Sequence, residues 1–193
     1  MRNTRLTRSA LAAVIAVGLA GFATACASPA SGLDGNIGAG GSATLSESPG
    51  RPADYTGFLV NHTGSVVILK SARLLPLKGF RAPQLIHEAI EPRKIFATSD
   101  SDWPPTEPKL PLKDFAEYRI PPGRRINILY SVVARKVGEY ADTGIEVTML
   151  VDGRSATVDV ISFAGTCILQ VLGNRSCPES FINRLQKAAG QSP

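Results

Sequence analysis

The chain reads as an all-β sandwich with one short helix near its C-terminal end. Three observations predict this. Apolar residues recur with period two in seven or eight short runs, turn residues separate those runs, and helical spacing appears after Pro178. A length of 193 residues allows one domain with appendages, since domains run to about 100–150 residues. With 44% hydrophobic and 19% charged residues the composition excludes a disordered chain, and three Cys are too few for a disulfide-framework miniprotein.

Taken in order, residues 26–53 are Gly, Ser, Ala and Pro with almost no large apolar side chain. That composition predicts a flexible tether with a root-mean-square span of about 25–30 Å. Period two begins at Tyr55, giving strands over Tyr55–Asn61, Ser65–Leu75 and Gln84–Glu91, with a further short one over Arg93–Thr98. Pro104, Pro105, Pro108 and Pro111 then keep Ser99–Leu112 out of any ladder interior, so this stretch is expected as an extended surface loop. Phe115–Ile120 is expected as a strand ended by Pro121-Pro122-Gly123.

The second half alternates more clearly. Arg125–Arg135 places Ile126, Ile128, Tyr130 and Val132 on one face, and Gly144–Val151 does the same with Ile145, Val147, Met149 and Val151. Asp152-Gly153 is a short hairpin signal, and Ser155–Ala164 is the returning strand. Pro178 at a first helical position, followed by Phe181, Ile182, Leu185 and Ala189, predicts a short helix.

The tract from Pro121-Pro122-Gly123 to Phe163 is similar to the paired late strands of immunoglobulin-like domains in bacterial surface proteins. The resemblance implies an immunoglobulin-like β-sandwich in which a Pro-Gly turn leads a strand into the second sheet. The Cys–Trp–Cys pattern of antibody domains is missing, because Trp103 falls in the Pro-rich stretch.

The N-terminus carries a targeting segment. Arg2, Arg5 and Arg8 precede an uncharged apolar stretch, Ala10 to Ala25, which is shorter than the roughly 20 residues of a comfortable membrane-spanning helix. It ends in Ala23-Thr24-Ala25-Cys26, which resembles the lipobox of bacterial lipoproteins, with Ala23 where Leu is usual. The resemblance implies that residues 1–25 are a signal peptide, that Cys26 receives diacylglycerol, and that the chain is held at the outer face of the cytoplasmic membrane. Two acyl chains make a stable anchor, at about 0.8 kcal/mol for each buried methylene. The alternative is an ordinary signal peptide cut at the same small residues. Arg outnumbers Lys two to one, with abundant Ala and Gly, and this looks like a chain from a high-GC bacterium of the actinobacterial kind.

With Cys26 acylated, Cys167 and Cys177 remain as a pair in an oxidising compartment, so a disulfide is expected between them. The loop it closes contains Gly173-Asn174, a turn signal, and closure would contribute about 2–3 kcal/mol. A two-Cys metal site lacks further ligands nearby. Charge needs correcting for the targeting segment. Taking Arg2, Arg5 and Arg8 from the 21 basic residues leaves 18 against 16 acidic ones, a net charge of +2. No long Lys/Arg block is interleaved with aromatics, so nucleic acid is not an expected partner.

Chemistry is sparse. His62 lies in a turn and His87 alternates inside a strand, which is short of the three or four convergent ligands of a metal site. Asp100 and Asp102 offer two carboxylates for a hard cation but read more simply as a solvated loop. Ser162 ends a strand without a Gly-x-Ser-x-Gly elbow or a nearby His. Gly35, Gly38, Gly40 and Gly41 lack the flanking strand and helix of a nucleotide loop, so no cofactor is expected. Trp103, among prolines that permit polyproline II, is a contact residue for a partner if exposed, or a ring folded back on the sandwich. The reading is therefore a signal peptide (1–25), a tether (26–53) and a sandwich domain (54–193). Its expected role is a non-catalytic interaction or accessory module meeting an envelope protein or glycan. The alternatives are a carrier of a metal ion or small ligand using His62, His87 or the Asp100/Asp102 pair, and a cell-envelope hydrolase.

Overall fold

A computed structural model describes residues 28–29, 33–36, 43–91, 103, 112–170 and 176–190. In chain order the strands are β1 (Ser28–Pro29), β2 (Leu33–Asn36), β3 (Ala43–Glu47), β4 (Pro52–Asn61), β5 (Val67–Pro76), β6 (Gln84–Glu91), β7 (Lys113–Asp114), β8 (Arg119–Ile120), β9 (Arg125–Val133), β10 (Gly138–Val151) and β11 (Arg154–Ile168), followed by helix α1 (Glu179–Ala188). They form two facing sheets, one ordered β2-β4-β9-β6-β7, the other β1-β11-β10-β5-β8 with β3 also on β11. This is the expected two-sheet β-sandwich with one short C-terminal helix.

The expected faces meet in the core. Ile126, Ile128, Tyr130 and Val132 of β9 oppose Ile145, Val147 and Met149 of β10, with Tyr55 and Leu59 of β4 and Val67 and Leu69 of β5 in the same buried cluster. Val151, expected with the β10 face, is half-buried at its rim. Asp152 and Gly153 both take positive φ (52° and 73°), the geometry of a two-residue turn whose twist matches its flanking strands.

Three expectations are corrected. Residues 43–53, assigned to the tether, hold β3 and the start of β4, and β1 and β2 also lie within 26–53. β3 runs parallel to the end of β11, from Ala43↔Ala164 to Glu47↔Ile168. Backbone hydrogen bonding needs no alternating side chains, so composition did not reveal these strands.

Phe115–Ile120 is not one strand. β7 pairs with β6 in the first sheet and β8 with β5 in the second, so the segment crosses between layers. Glu117 makes the bend at φ 65°, and its N–H donates to Leu69 O at 2.9 Å. Finally, β10 starts at Gly138, six residues before its expected start at Gly144, and β11 runs on to Ile168. A bulge between Asp142 and Gly144 shifts the phase of the alternation and hid this continuation. The expected strand Arg93–Thr98 and turn Gly173-Asn174 lie outside the described residues.

Cys167 and Cys177 are disulfide-bonded, joining the end of β11 to the residue before Pro178, which caps α1. The helix buries Phe181 and Leu185 against β11, where Gly165 leaves room for both. The bulge glycine is more tightly enclosed still, and by backbone atoms. Gly144 sits at φ +118°, and a Cβ there would lie 2.0 Å from the Val160 carbonyl oxygen. Gly144→Ala should therefore lower the unfolding free energy by more than about 2 kcal/mol. Gly64→Ala, where nothing lies within 4 Å, should change it by less than about 0.5 kcal/mol. Urea midpoints measure both, and equal midpoints would refute the strain assigned to the bulge.

Candidate functional site

Two polar assemblies stand out against the apolar core. The first is buried between the sheets. Tyr55 of β4 donates its hydroxyl to the Gly165 carbonyl at 2.9 Å and shares a 2.7 Å hydrogen bond with the Thr166 hydroxyl. Tyr130 of β9 reaches Asp142 at 3.2 Å and shares a hydrogen bond with the Ser162 hydroxyl. The two rings lie 5.8 Å apart. Burial pushes the Asp142 carboxyl up to about 8, partly offset by the Gly144 N–H and the Tyr130 hydroxyl. The same desolvation raises both tyrosines, further aided by the Asp142 charge. At neutral pH Asp142 thus keeps its proton and can donate as well as accept. Ser162, considered above as a hydrolase serine, is one of the groups that hold this network together and is buried.

The second assembly is a cleft of about 430 Å³ lined by Gly79, Phe80, Arg81, Val137, Gly138, Glu139 and Arg184. Its walls are the β5–β6 loop, the start of β10 and helix α1. Phe80 forms the floor, edge-on to Phe181 with centroids 5.8 Å apart. The Arg184 guanidinium lies over Phe80, 5.2 Å from its centroid, and pairs with Glu139. Arg81 has no ion pair among the described residues. Lys78, Arg135 and Lys136 are exposed in the loops beside it, and Val137 is 53% exposed. The cleft can therefore hold an anion next to an apolar or aromatic group.

The remaining sequence candidates are dispersed. His62 is exposed in the β4–β5 turn. His87 pairs with Ser131, which pairs with Asp54 near the start of β4, so about 25 Å of strand separates the two imidazoles. They cannot share a ligand. Asp54, Ser131 and His87 do form a row across three strands on the outer face of the first sheet. Ser131 stands in the middle, however, and is fully buried, whereas a nucleophile relay needs histidine between serine and acid. Trp103 is half-buried and stacks on His87, with centroids 5.3 Å apart and planes 11° from parallel. It is folded back on the sandwich rather than presented as a free ring. Cys26, Asp100 and Asp102 lie outside the described residues, and among those described no group of His, Cys, Asp and Glu is placed to hold a metal ion.

Sequence reading missed the cleft. Phe80, Arg81, Glu139 and Arg184 share no motif, and only the Lys/Arg content of two short loops hints at them.

No protein-family model matches the chain, and no curated protein matches it in sequence. Among solved structures, the ASH/PapD-like domain 7 of human CEP192 is 12% identical, with a match spanning 88% of this chain and 100% of that one at a TM-score of 0.41. The VesB protease of Vibrio cholerae is 11% identical over 71% of this chain and 32% of its own, with a TM-score of 0.37. A family 123 glycoside hydrolase from Clostridium perfringens is 13% identical over 68% of this chain and 23% of its own, at 0.35. None of these likenesses says what this chain binds or does.

The buried acid makes stability depend on pH in a defined direction. Unfolded, Asp142 loses its proton near its ordinary value of 3.8, whereas folded it keeps the proton up to about 8. Between those values the folded state binds more protons, so raising the pH favours unfolding by at most about 1.4 kcal/mol per pH unit. Asp142→Asn should flatten the urea midpoint between pH 4 and pH 8 relative to the unaltered protein. Parallel curves for the two proteins would contradict the burial effect.

Proposed function

We propose that this chain is an exported, lipid-anchored envelope protein of the actinobacterial lipoprotein type, acting as a non-catalytic interaction module. Its contact surface is the cleft beside α1, and the partner is an anionic segment of an envelope protein or an anionic glycan. The observation that carries this reading is Arg81, a cation without an ion pair among the described residues, beside an aromatic floor and an exposed Val137. A second support is the packing between the sheets, where apolar residues of both layers and the tyrosine network meet among the described residues. The anchor rests on the Ala23-Thr24-Ala25-Cys26 sequence.

Two measurements test the proposal. The native protein, expressed in an actinobacterial host, should carry an acylated N-terminal Cys26 and partition with membranes, while Cys26→Ser should not be acylated. Identical processing, with masses that differ only by the Cys-to-Ser exchange, and release of both into the medium would remove the anchor. For the cleft, an oligoglutamate peptide and an oligogalacturonate serve as probes of the two partner classes. One should bind with an affinity that falls with salt and drops about three- to tenfold in Arg81→Gln. Absence of binding by either probe, or binding indifferent to Arg81, would refute the cleft as the contact surface.

A further inference from the structure

The strand registers bring one set of loops to the end of the sandwich opposite the cleft. Ser28 of β1 pairs with Ala156, close to the β10–β11 hairpin. Val67 pairs with Val151 and Ile120, and Arg125 pairs with Val60. The β4–β5 turn, the β8–β9 turn and the hairpin therefore share this end with β1. Cys26 precedes Ser28 by two residues, a reach of at most about 7 Å.

This end is cationic and held in place. Arg119, Arg124, Arg125 and Arg154 are all exposed, and Val66 is 39% exposed among them. Among the described residues, the acidic positions on these strands and turns are Asp152 in the hairpin and Asp34 on β2, which pairs with Val60. Asn61 binds the turns together. Its side chain donates to Ser65 O and Ile120 O, each at 2.9 Å, and accepts from the Thr63 N–H at 2.9 Å. Its backbone carbonyl accepts from Gly123 N–H at 2.7 Å, and its N–H donates to Arg124 O at 2.9 Å.

We infer that this hairpin end is a membrane-contact surface for anionic phospholipid headgroups, so that the sandwich stands end-on and presents the Phe80–Arg184 cleft away from the bilayer. The inference rests on the anchored reading for the position of Cys26, and on the arginine cap independently of it. Arginines close to an anionic leaflet strengthen association cumulatively, and a small exposed apolar residue among them suits the interface. The anchor, two residues from β1, then fixes which end faces the lipid. No long spacer is needed, because the strands themselves carry the cleft about 40 Å from the bilayer.

The test uses the full chain as processed by its host, labelled with one fluorophore at Gly64→Cys or at Lys136→Cys. Gly64 lies in open space at the hairpin end and Lys136 is exposed beside the cleft. Vesicles of phosphatidylglycerol and phosphatidylcholine carry a headgroup quencher. The Gly64 probe should be quenched several-fold more than the Lys136 probe, and the difference should shrink in pure phosphatidylcholine. In the Arg119→Gln/Arg124→Gln/Arg154→Gln variant of the non-acylated Cys26→Ser chain, vesicle affinity should fall roughly fivefold per arginine removed. Equal quenching at the two positions, or stronger quenching at Lys136, overturns the inference. The mass of the same preparation separates the two claims. An acylated chain without the Gly64 preference keeps the anchor and removes the surface, and a non-acylated chain that retains the preference does the reverse.

Discussion

The interactions of β11 hold the rest of the molecule in place. This strand pairs along its whole length with β10, and its other edge is paired in parallel with β1 at Ala156 and Thr157 and with β3 from Ala164 to Ile168, which satisfies backbone groups there. From the same strand come Ser162 for Tyr130, the Gly165 carbonyl and Thr166 hydroxyl for Tyr55, and Cys167 for the disulfide. One strand thus closes the second sheet, ties it to the first through two tyrosines, and seats the helix that walls the cleft. An unsatisfied donor or acceptor in this interior would cost about 1–3 kcal/mol, so the tyrosine hydroxyls, Ser162 and Asp142 stand or fall together.

The network also explains where the ladder departs from regularity. Asp142 turns in to meet Tyr130 and the Gly144 N–H, and the chain accommodates this with a bulge that places Gly144 in a conformation closed to other residues. The same bulge lets β10 continue beyond it to Gly138 and so to the cleft. A buried acid kept protonated and a displaced register are two sides of one packing solution.

The two ends of the sandwich differ in the residues they gather. One end combines the first strand, the hairpin and four exposed arginines, while the other combines α1, Phe80, Arg81 and Arg184. Both ends are basic. At the first, Asn61 ties the turns together beside the exposed arginines. The second is a cleft lined by Phe80, Arg81, Glu139 and Arg184. Because the strands run between them, the two ends are held apart by the rigidity of the sheets rather than by a linker.

Alternation and the turn residues between the runs predicted the sandwich. The faces of β9 and β10, the Asp152-Gly153 turn, the extent of β6 and a helix after Pro178 were all legible, because each depends on residues near one another in sequence, and the Cys167–Cys177 pairing followed from counting the cysteines once Cys26 was set aside. Long-range backbone pairing and convergence decided the rest. β1, β2 and β3 pair along the sheets through backbone hydrogen bonds, the break at Glu117 lies where a segment passes between the two sheets, and the longer β10 continues through a bulge beside buried Asp142. Trp103 lies against His87 for the same kind of reason, a face of the sheet that sequence spacing does not reveal. Phe80, Arg81, Glu139 and Arg184 come from three separate elements, and only closure of the sandwich around α1 makes them neighbours. Local periodicity records which face of a strand is buried, but it holds no information about which distant edge or loop will meet it.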